Sequence, residues 1–197
     1  MKMGKMEKKF VNSKKREERN IKLIEDIFTR SGIELDHMKR VLDIGCGVGF
    51  VARYLHEKYG MEVTGVDVDP EQVECAKEYS KEEKGVDFTV ADATQLPLED
   101  NRFDLVMSFM VIHHIEDWQR VLQEVDRVLK PQGTYIIYEI TYPVVAVRAL
   151  RAVTKKFGIF SAHDIVEYLE KRGFQVLHEE RRRHLAFKVL ELVTRRG

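Results

Sequence analysis

The residues best placed to do chemistry begin with Asp43-Ile-Gly45-Cys46-Gly47-Val48-Gly49, an acid followed by glycines at alternate positions. Glycines let the backbone turn tightly and admit a ligand against the main chain, and a helix starting behind such a turn presents N–H groups. Asp67 ends the next apolar run, where a carboxylate can accept both hydroxyls of a ribose held over the first turn. Asp92, with Ala93 after it, can accept from an exocyclic amine while the N–H groups that follow donate to a ring nitrogen. Val68 would supply an apolar wall for a flat ring. Together these residues suggest a nucleoside-bearing ligand. Each also has a plainer reading: a tight strand-to-helix turn, a solvated strand end, a turn carboxylate. The glycine spacing is not that of a dinucleotide turn, because the sixth position counted from Gly45 is Phe50. Hydride transfer loses its fingerprint there, and no P-loop pattern occurs.

A second group closes another apolar run, Ser108-Phe109-Met110-Val111-Ile112-His113-His114. Imidazoles titrate near neutral pH, so His113 and His114 are the candidates for a general base, each with the alternative of a histidine that only bonds backbone. Cys46 lies inside the glycine turn and Cys75 inside a helical stretch, and both read as packing residues rather than nucleophiles. No spacing of histidines, cysteines or acids suggests a metal, so metal-independent chemistry is expected.

The elements that must position these groups follow from periodicity. Apolar runs at 41–45, 62–67, 86–92, 103–109 and 134–140 predict strands, several without alternation, as strands covered on both faces are. Between them, helices are expected at 49–59, at 70–83 behind Asp69 and Pro70, and at 117–129 with a stripe of Trp118, Val121, Leu122, Val125 and Leu129. An N-terminal helix at 13–31 buries Ile24, Ile27 and Phe28 and stops at Gly32. Alternating strands and helices predict an α/β fold with a parallel sheet. After the fifth strand come an amphipathic helix at 143–157, a helix opened by the capping box Ser161 to Asp164, and two closing strands joined by a polar turn around Arg181–Arg183.

With 197 residues, 44% of them hydrophobic and 34% charged, the chain suits one globular domain. Lys and Arg equal Asp and Glu at 33 each, so no overall basic bias points to nucleic acid. Both ends are nevertheless basic: residues 1–20 hold eight cations, and residues 178–197 hold six against three acids. No run is long enough to span a bilayer, no apolar leader follows the N-terminus, and two cysteines are too few for a disulfide framework. A cytoplasmic protein is expected.

The run VLDIGCGVG, then VTGVDVDP, FTVADATQLPLEDNRFDLV and LKPQGTYIIYE, resembles in order and spacing the motifs of the class I S-adenosylmethionine-dependent methyltransferases, in particular the small-molecule type. The resemblance is close over residues 38–140 and loose beyond. It implies a Rossmann-like three-layer αβα sandwich whose seven-stranded, mostly parallel sheet has an antiparallel last strand between the fifth and sixth. It also implies a single methyltransferase domain over 1–197: the helix at 13–31, a cofactor-binding core at 38–140, an acceptor lid at 141–160, and a helix with a strand pair at 161–197. S-adenosyl-L-methionine is then the cofactor and S-adenosyl-L-homocysteine its product. Asp43, Gly45, Cys46, Gly47, Asp67, Val68, Asp92 and Ala93 would hold it, with Ser108 and Phe109 beside its methionine end. Tyr138, Glu139 and Tyr142, at the end of the fifth strand, are candidates for the acceptor pocket. The lid helix would put Val147, Leu150, Val153 and Phe157 on one side and Arg148, Arg151 and Lys155 on another. The expected partner is a small organic methyl acceptor. An RNA acceptor using the basic ends, and a non-catalytic module that only binds the nucleoside, are the alternatives. The sequence leaves the acceptor atom and the oligomeric state open.

Overall fold

The computed structural model describes residues 14–153, 157–183 and 187–197. The contacts divide the chain into two compact units, one ending at Pro97 and one beginning at Leu98.

The first unit alternates helix and strand: α1 (Lys14–Ser31), β1 (Arg40–Ile44), α2 (Phe50–Tyr59), β2 (Glu62–Asp67), α3 (Pro70–Tyr79) and β3 (Val86–Val90). The three strands run parallel in the order β3-β2-β1, with Asp43 beside Gly65 and Asp67 beside Val90. Helix α1 buries Ile24, Ile27 and Phe28 as its periodicity requires, and ends where Gly32 takes a left-handed φ of 63°. Glu25 ties it to α2, accepting from Lys58 Nζ at 2.5 Å and Tyr59 Oη at 2.6 Å. Helix α3 starts as expected, with Asp69 accepting from the Glu71 N–H and Pro70 following. It stops at Tyr79, short of the expected 83, where Ser80 leaves the helical conformation with φ −113° and ψ 12°.

The second unit holds β4 (Phe103–Phe109), a single 3₁₀ turn (Ile112–His114), α4 (Trp118–Val128), β5 (Leu129–Thr141), α5 (Val144–Val153), α6 (Ala162–Glu170), β6 (Gln175–Arg183) and β7 (Lys188–Arg195). Strand β4 pairs parallel with β5; β7 runs antiparallel between β5 and β6. The expected stripe of α4 is buried, Trp118 included. Ser161 and Asp164 close both halves of the capping box on α6.

The seven strands follow the order β3-β2-β1-β4-β5-β7-β6 in one mixed sheet, the α/β architecture the alternation predicts. Other boundaries also differ from the sequence reading. Strand β5 starts at Leu129, five residues early, and it carries Gln132 at a positive φ of 65° beside Gly133. The polar turn expected at Arg181–Arg183 is strand instead, since Arg181 pairs with Glu179, and Arg182 with Glu180, along the same strand. Residues two apart share a face in a strand, so the run Glu-Glu-Arg-Arg-Arg satisfies its own charges without a loop. Finally, α5 ends at Val153; residues 154–156, Lys155 among them, lie outside the described residues, and Phe157 is exposed and not helical.

Candidate functional site

The carboxylates singled out in the sequence stand at the C-terminal ends of neighbouring parallel strands. Asp67, the last residue of β2, is held by two backbone donors: the Gly47 N–H reaches Oδ2 at 3.0 Å and the Asp69 N–H reaches Oδ1 at 2.9 Å. This fixes the carboxylate while leaving further lone pairs for hydroxyl donors. The turn itself is anchored underneath, with the Gly45 and Cys46 N–H groups both donating to the Val66 carbonyl. Gly45, Gly47 and Gly49 all have positive φ, the conformation the alternate glycines were expected to supply. Gly49 also needs its missing side chain, because a Cβ there would come within 2.4 Å of the Phe88 ring. Above Gly47 the space is open, the nearest atom to a Cβ being Gln72 Oε1 at 3.7 Å.

Asp43 is 3% exposed and makes no hydrogen bond or ion pair among the described residues. Burial, reinforced by the negative charge of Asp67, pushes its carboxyl up to about 7. Burial also pushes the Cys46 thiol well above its usual range, with Asp43 and Asp67 adding to the effect, so it is a packing group and no nucleophile. Cys75, expected to pack as well, is exposed on the outer side of α3. Val68 is 51% exposed, an apolar side chain left in water beside Asp67. Asp92 is exposed, and its Oδ1 accepts from both the N–H and the hydroxyl of Thr94, while Ala93 is buried. Sequence reasoning missed Gln72: it is 2% exposed, and its Oε1 has no hydrogen-bond partner among the described residues. Its signal was a polar residue on the inward face of an amphipathic helix.

These donors and acceptors fit a nucleoside: hydroxyls for Asp67, an amine for Asp92, an apolar face for Val68 and an unsatisfied amide at Gln72.

In the second unit, consecutive residues fall on opposite faces. Ser108, expected beside the methionine end of the cofactor, is wholly buried with its hydroxyl 2.8 Å from Tyr135 Oη. Burial raises the Tyr135 hydroxyl far above its usual range, which keeps it a neutral partner. Phe109, on the other face, is half-buried against the Tyr138 ring, 6.5 Å between centroids. Tyr142 is half-buried, and its N–H donates to Phe160. Glu139, expected as an acceptor contact, is 0% exposed and engaged on both oxygens. Its partners include His113, while His114 is exposed and stacks on His113 at 3.9 Å between centroids. On α5, Val147 is buried and Val144 and Val145 are exposed.

One titratable cluster lies elsewhere. His178, Glu180 and Glu191 bring ligand atoms within 4.8 Å of one another. Arg182 already reaches Glu180 at 2.8 Å and Glu191 at 3.5 Å, so the cluster carries its own cation.

Residues 42–137 match the model of a family described as a methyltransferase domain. Over that span the chain is similar to the class I S-adenosylmethionine-dependent methyltransferases. Its family cofactor is S-adenosyl-L-methionine, which leaves as S-adenosyl-L-homocysteine. Among its curated relatives is norajmaline N-methyltransferase of Rauvolfia serpentina, 38% identical over 102 residues, covering 50% of this chain and 35% of the relative. Tocopherol O-methyltransferase of Arabidopsis thaliana is 35% identical over 127 residues, covering 61% of this chain and 36% of the relative. The chain thus spans about a third of the length of these two relatives. A solved protein of Pyrococcus horikoshii OT3 superposes with a TM-score of 0.74 at 28% identity, covering 95% of this chain and 93% of its own. No described helix is long and apolar enough to cross a membrane.

Proposed function

We propose that this methyltransferase acts on a small organic acceptor, transferring the methyl group by in-line displacement. The cradle of the first unit carries this reading, with Asp67 clamped by Gly47 and Asp69 N–H groups between the buried Asp43 and the exposed Asp92. In it Asp67 takes the ribose hydroxyls, Asp92 and Ala93 the adenine edge, Val68 the ring face, and Asp43, Gly45, Cys46, Gly47 and Gln72 complete the wall. The bound cofactor supplies an electrophilic methyl carbon on a sulfonium. The chain's own contribution is positioning, which is a large part of the effect in a displacement of this kind. Phe109, Tyr138 and Tyr142 belong to the acceptor side of the proposal, and His113 is its base. The names of the two curated relatives, one an N- and one an O-methyltransferase, support nitrogen or oxygen as the acceptor atom. The free thiols of Cys46 and Cys75 fit a reducing, cytoplasmic setting. A single methyltransferase domain remains the proposed organisation.

Calorimetric titration with S-adenosyl-L-homocysteine, beside NAD under the same conditions, tests this. Micromolar binding of the former alone, on the order of −8 kcal/mol, is the expected result. Silence from folded, ligand-free protein would remove the reading.

A further inference from the structure

Glu139 is an acid in the otherwise apolar strand TYIIYEI, and it is completely buried. A buried carboxylate must find donors, and this one finds four. Oε2 accepts from the Val111 N–H at 2.9 Å and the Ile112 N–H at 2.6 Å. Oε1 accepts from the Ile140 N–H at 2.8 Å and lies 2.5 Å from Nδ1 of His113. Three of the four partners are backbone N–H groups, which can only donate. They commit the carboxylate to accepting, and the fourth partner must then donate as well. His113 is therefore held with its proton on Nδ1, and in the neutral ring the lone pair sits on Nε2.

The rest of the local structure keeps that nitrogen in place. The His113 carbonyl accepts from the Gly158 N–H at 3.0 Å, and a side chain at Gly158 would run into the Ile112 carbonyl at 2.5 Å. His114 stacks on the ring, and the His113 side chain keeps 14% exposure. Nε2 makes no hydrogen bond among the described residues.

We infer that Glu139 is a positioning residue that locks His113 as a base with Nε2 open, and that the acceptor is a group that must lose a proton, a hydroxyl or an ammonium. The inference rests on the methyltransferase reading. In the step, the O–H or N–H bond of the acceptor breaks and its electron pair forms the bond to the methyl carbon. The proton passes to Nε2, and the electron pair of the broken carbon–sulfur bond stays on sulfur. An acceptor that is already anionic, such as a carboxylate, would have no use for this arrangement.

The apo protein labelled with ¹⁵N in its histidines gives a readout that needs no acceptor. His113, assigned by its loss in His113→Ala, is expected as the Nδ1–H tautomer. In Glu139→Gln the amide N–H meets a ring that alone can change from donor to acceptor, so the proton should move to Nε2. An Nε2–H tautomer in the parent protein, or no change in folded Glu139→Gln, would overturn the lock. If Glu139→Gln does not fold, the tautomer of His113 in the parent protein decides the lock alone, and the base role is read in His113→Asn, whose amide can keep the bond to Glu139 while Nε2 is gone.

For the base role, a panel of phenols, alcohols and amines is run against carboxylates with labelled S-adenosylmethionine. Turnover on proton-bearing acceptors is expected, with kcat lower by roughly 10²–10⁴-fold in His113→Asn and with KM and S-adenosylhomocysteine affinity retained. Methylation of carboxylates alone, retained kcat in His113→Asn, or silence across the panel from protein that binds S-adenosylhomocysteine would each overturn it. Failure of the parent protein to bind S-adenosylhomocysteine would strike the methyltransferase reading instead and leave the tautomer result standing.

Discussion

Replacing Asp43 with Asn isolates the cost of keeping an acid buried at the end of β1. In the folded chain burial, aided by the charge of Asp67, lifts the Asp43 carboxyl to about 7, whereas in an unfolded chain an aspartate titrates near 3.9. The folded state therefore binds this proton more tightly. Its contribution to stability is full below about pH 4 and is lost as pH rises through 7. A displacement of about three pH units corresponds to about 4 kcal/mol once the loss is complete. Between about pH 5.5 and about pH 8.5 the share lost is about 2 kcal/mol by the same linkage. Asparagine has nearly the same shape and no proton to lose, so the variant should escape this loss. Urea denaturation of the apo protein and of Asp43→Asn at the two pH values reads the difference directly. The variant should gain on the parent by about 2 kcal/mol as the pH is raised, within a factor of two. Parallel stability curves would refute the reasoning, because they would mean that Asp43 is ionised and compensated at both pH values. An acid that costs the fold this much at neutral pH needs a reason beyond folding, and the nucleoside cradle around it provides one.

Three other outcomes are expected. Asp67→Ala should weaken S-adenosylhomocysteine binding about 10- to 100-fold by calorimetry without unfolding the first unit, and unchanged affinity would mean the ribose lies elsewhere. Gly49→Ala should cost about 2–5 kcal/mol in denaturation, since a left-handed φ of 75° and the Phe88 ring both oppose a side chain there. Gln72→Met removes a buried, unsatisfied carbonyl, so it should stabilise the apo protein by about 1–2 kcal/mol while weakening S-adenosylhomocysteine about tenfold. Stabilisation with unchanged affinity would show that the amide does not meet the cofactor.

Much of the fold was legible because its signals are local. Alternating apolar runs and amphipathic stretches name the elements, Asp69-Pro70 and Ser161 start two helices, and Gly32 ends a third. The placing of the acids is local too: Asp67 ends β2 and Asp43 lies one residue from the end of β1, and parallel neighbours put such strand ends side by side. What stayed hidden depends on pairing across the chain. Nothing near Glu139 announces that Val111, Ile112 and His113, 26 to 28 residues earlier, will be its partners. The early start of β5 is equally non-local, because Leu129 pairs with Phe103 and the strand is drawn back past Pro131 to do so.

Tyr138 and Glu139 are both candidates for the acceptor pocket by sequence, yet successive residues of a strand point to opposite faces. Tyr138 pairs in register with Phe109, and the two rings share one face; Ser108 pairs with Ile137, two residues from Glu139, on the other. Period two therefore divides Ser108-Phe109 and Tyr138-Glu139 into an aromatic pair and a buried polar pair. The aromatic pair is half-buried and can meet a ligand. The polar pair is spent inside the protein, Ser108 on Tyr135 and Glu139 on the turn that carries His113. Glu139 can thus influence the chemistry only by fixing how His113 presents Nε2.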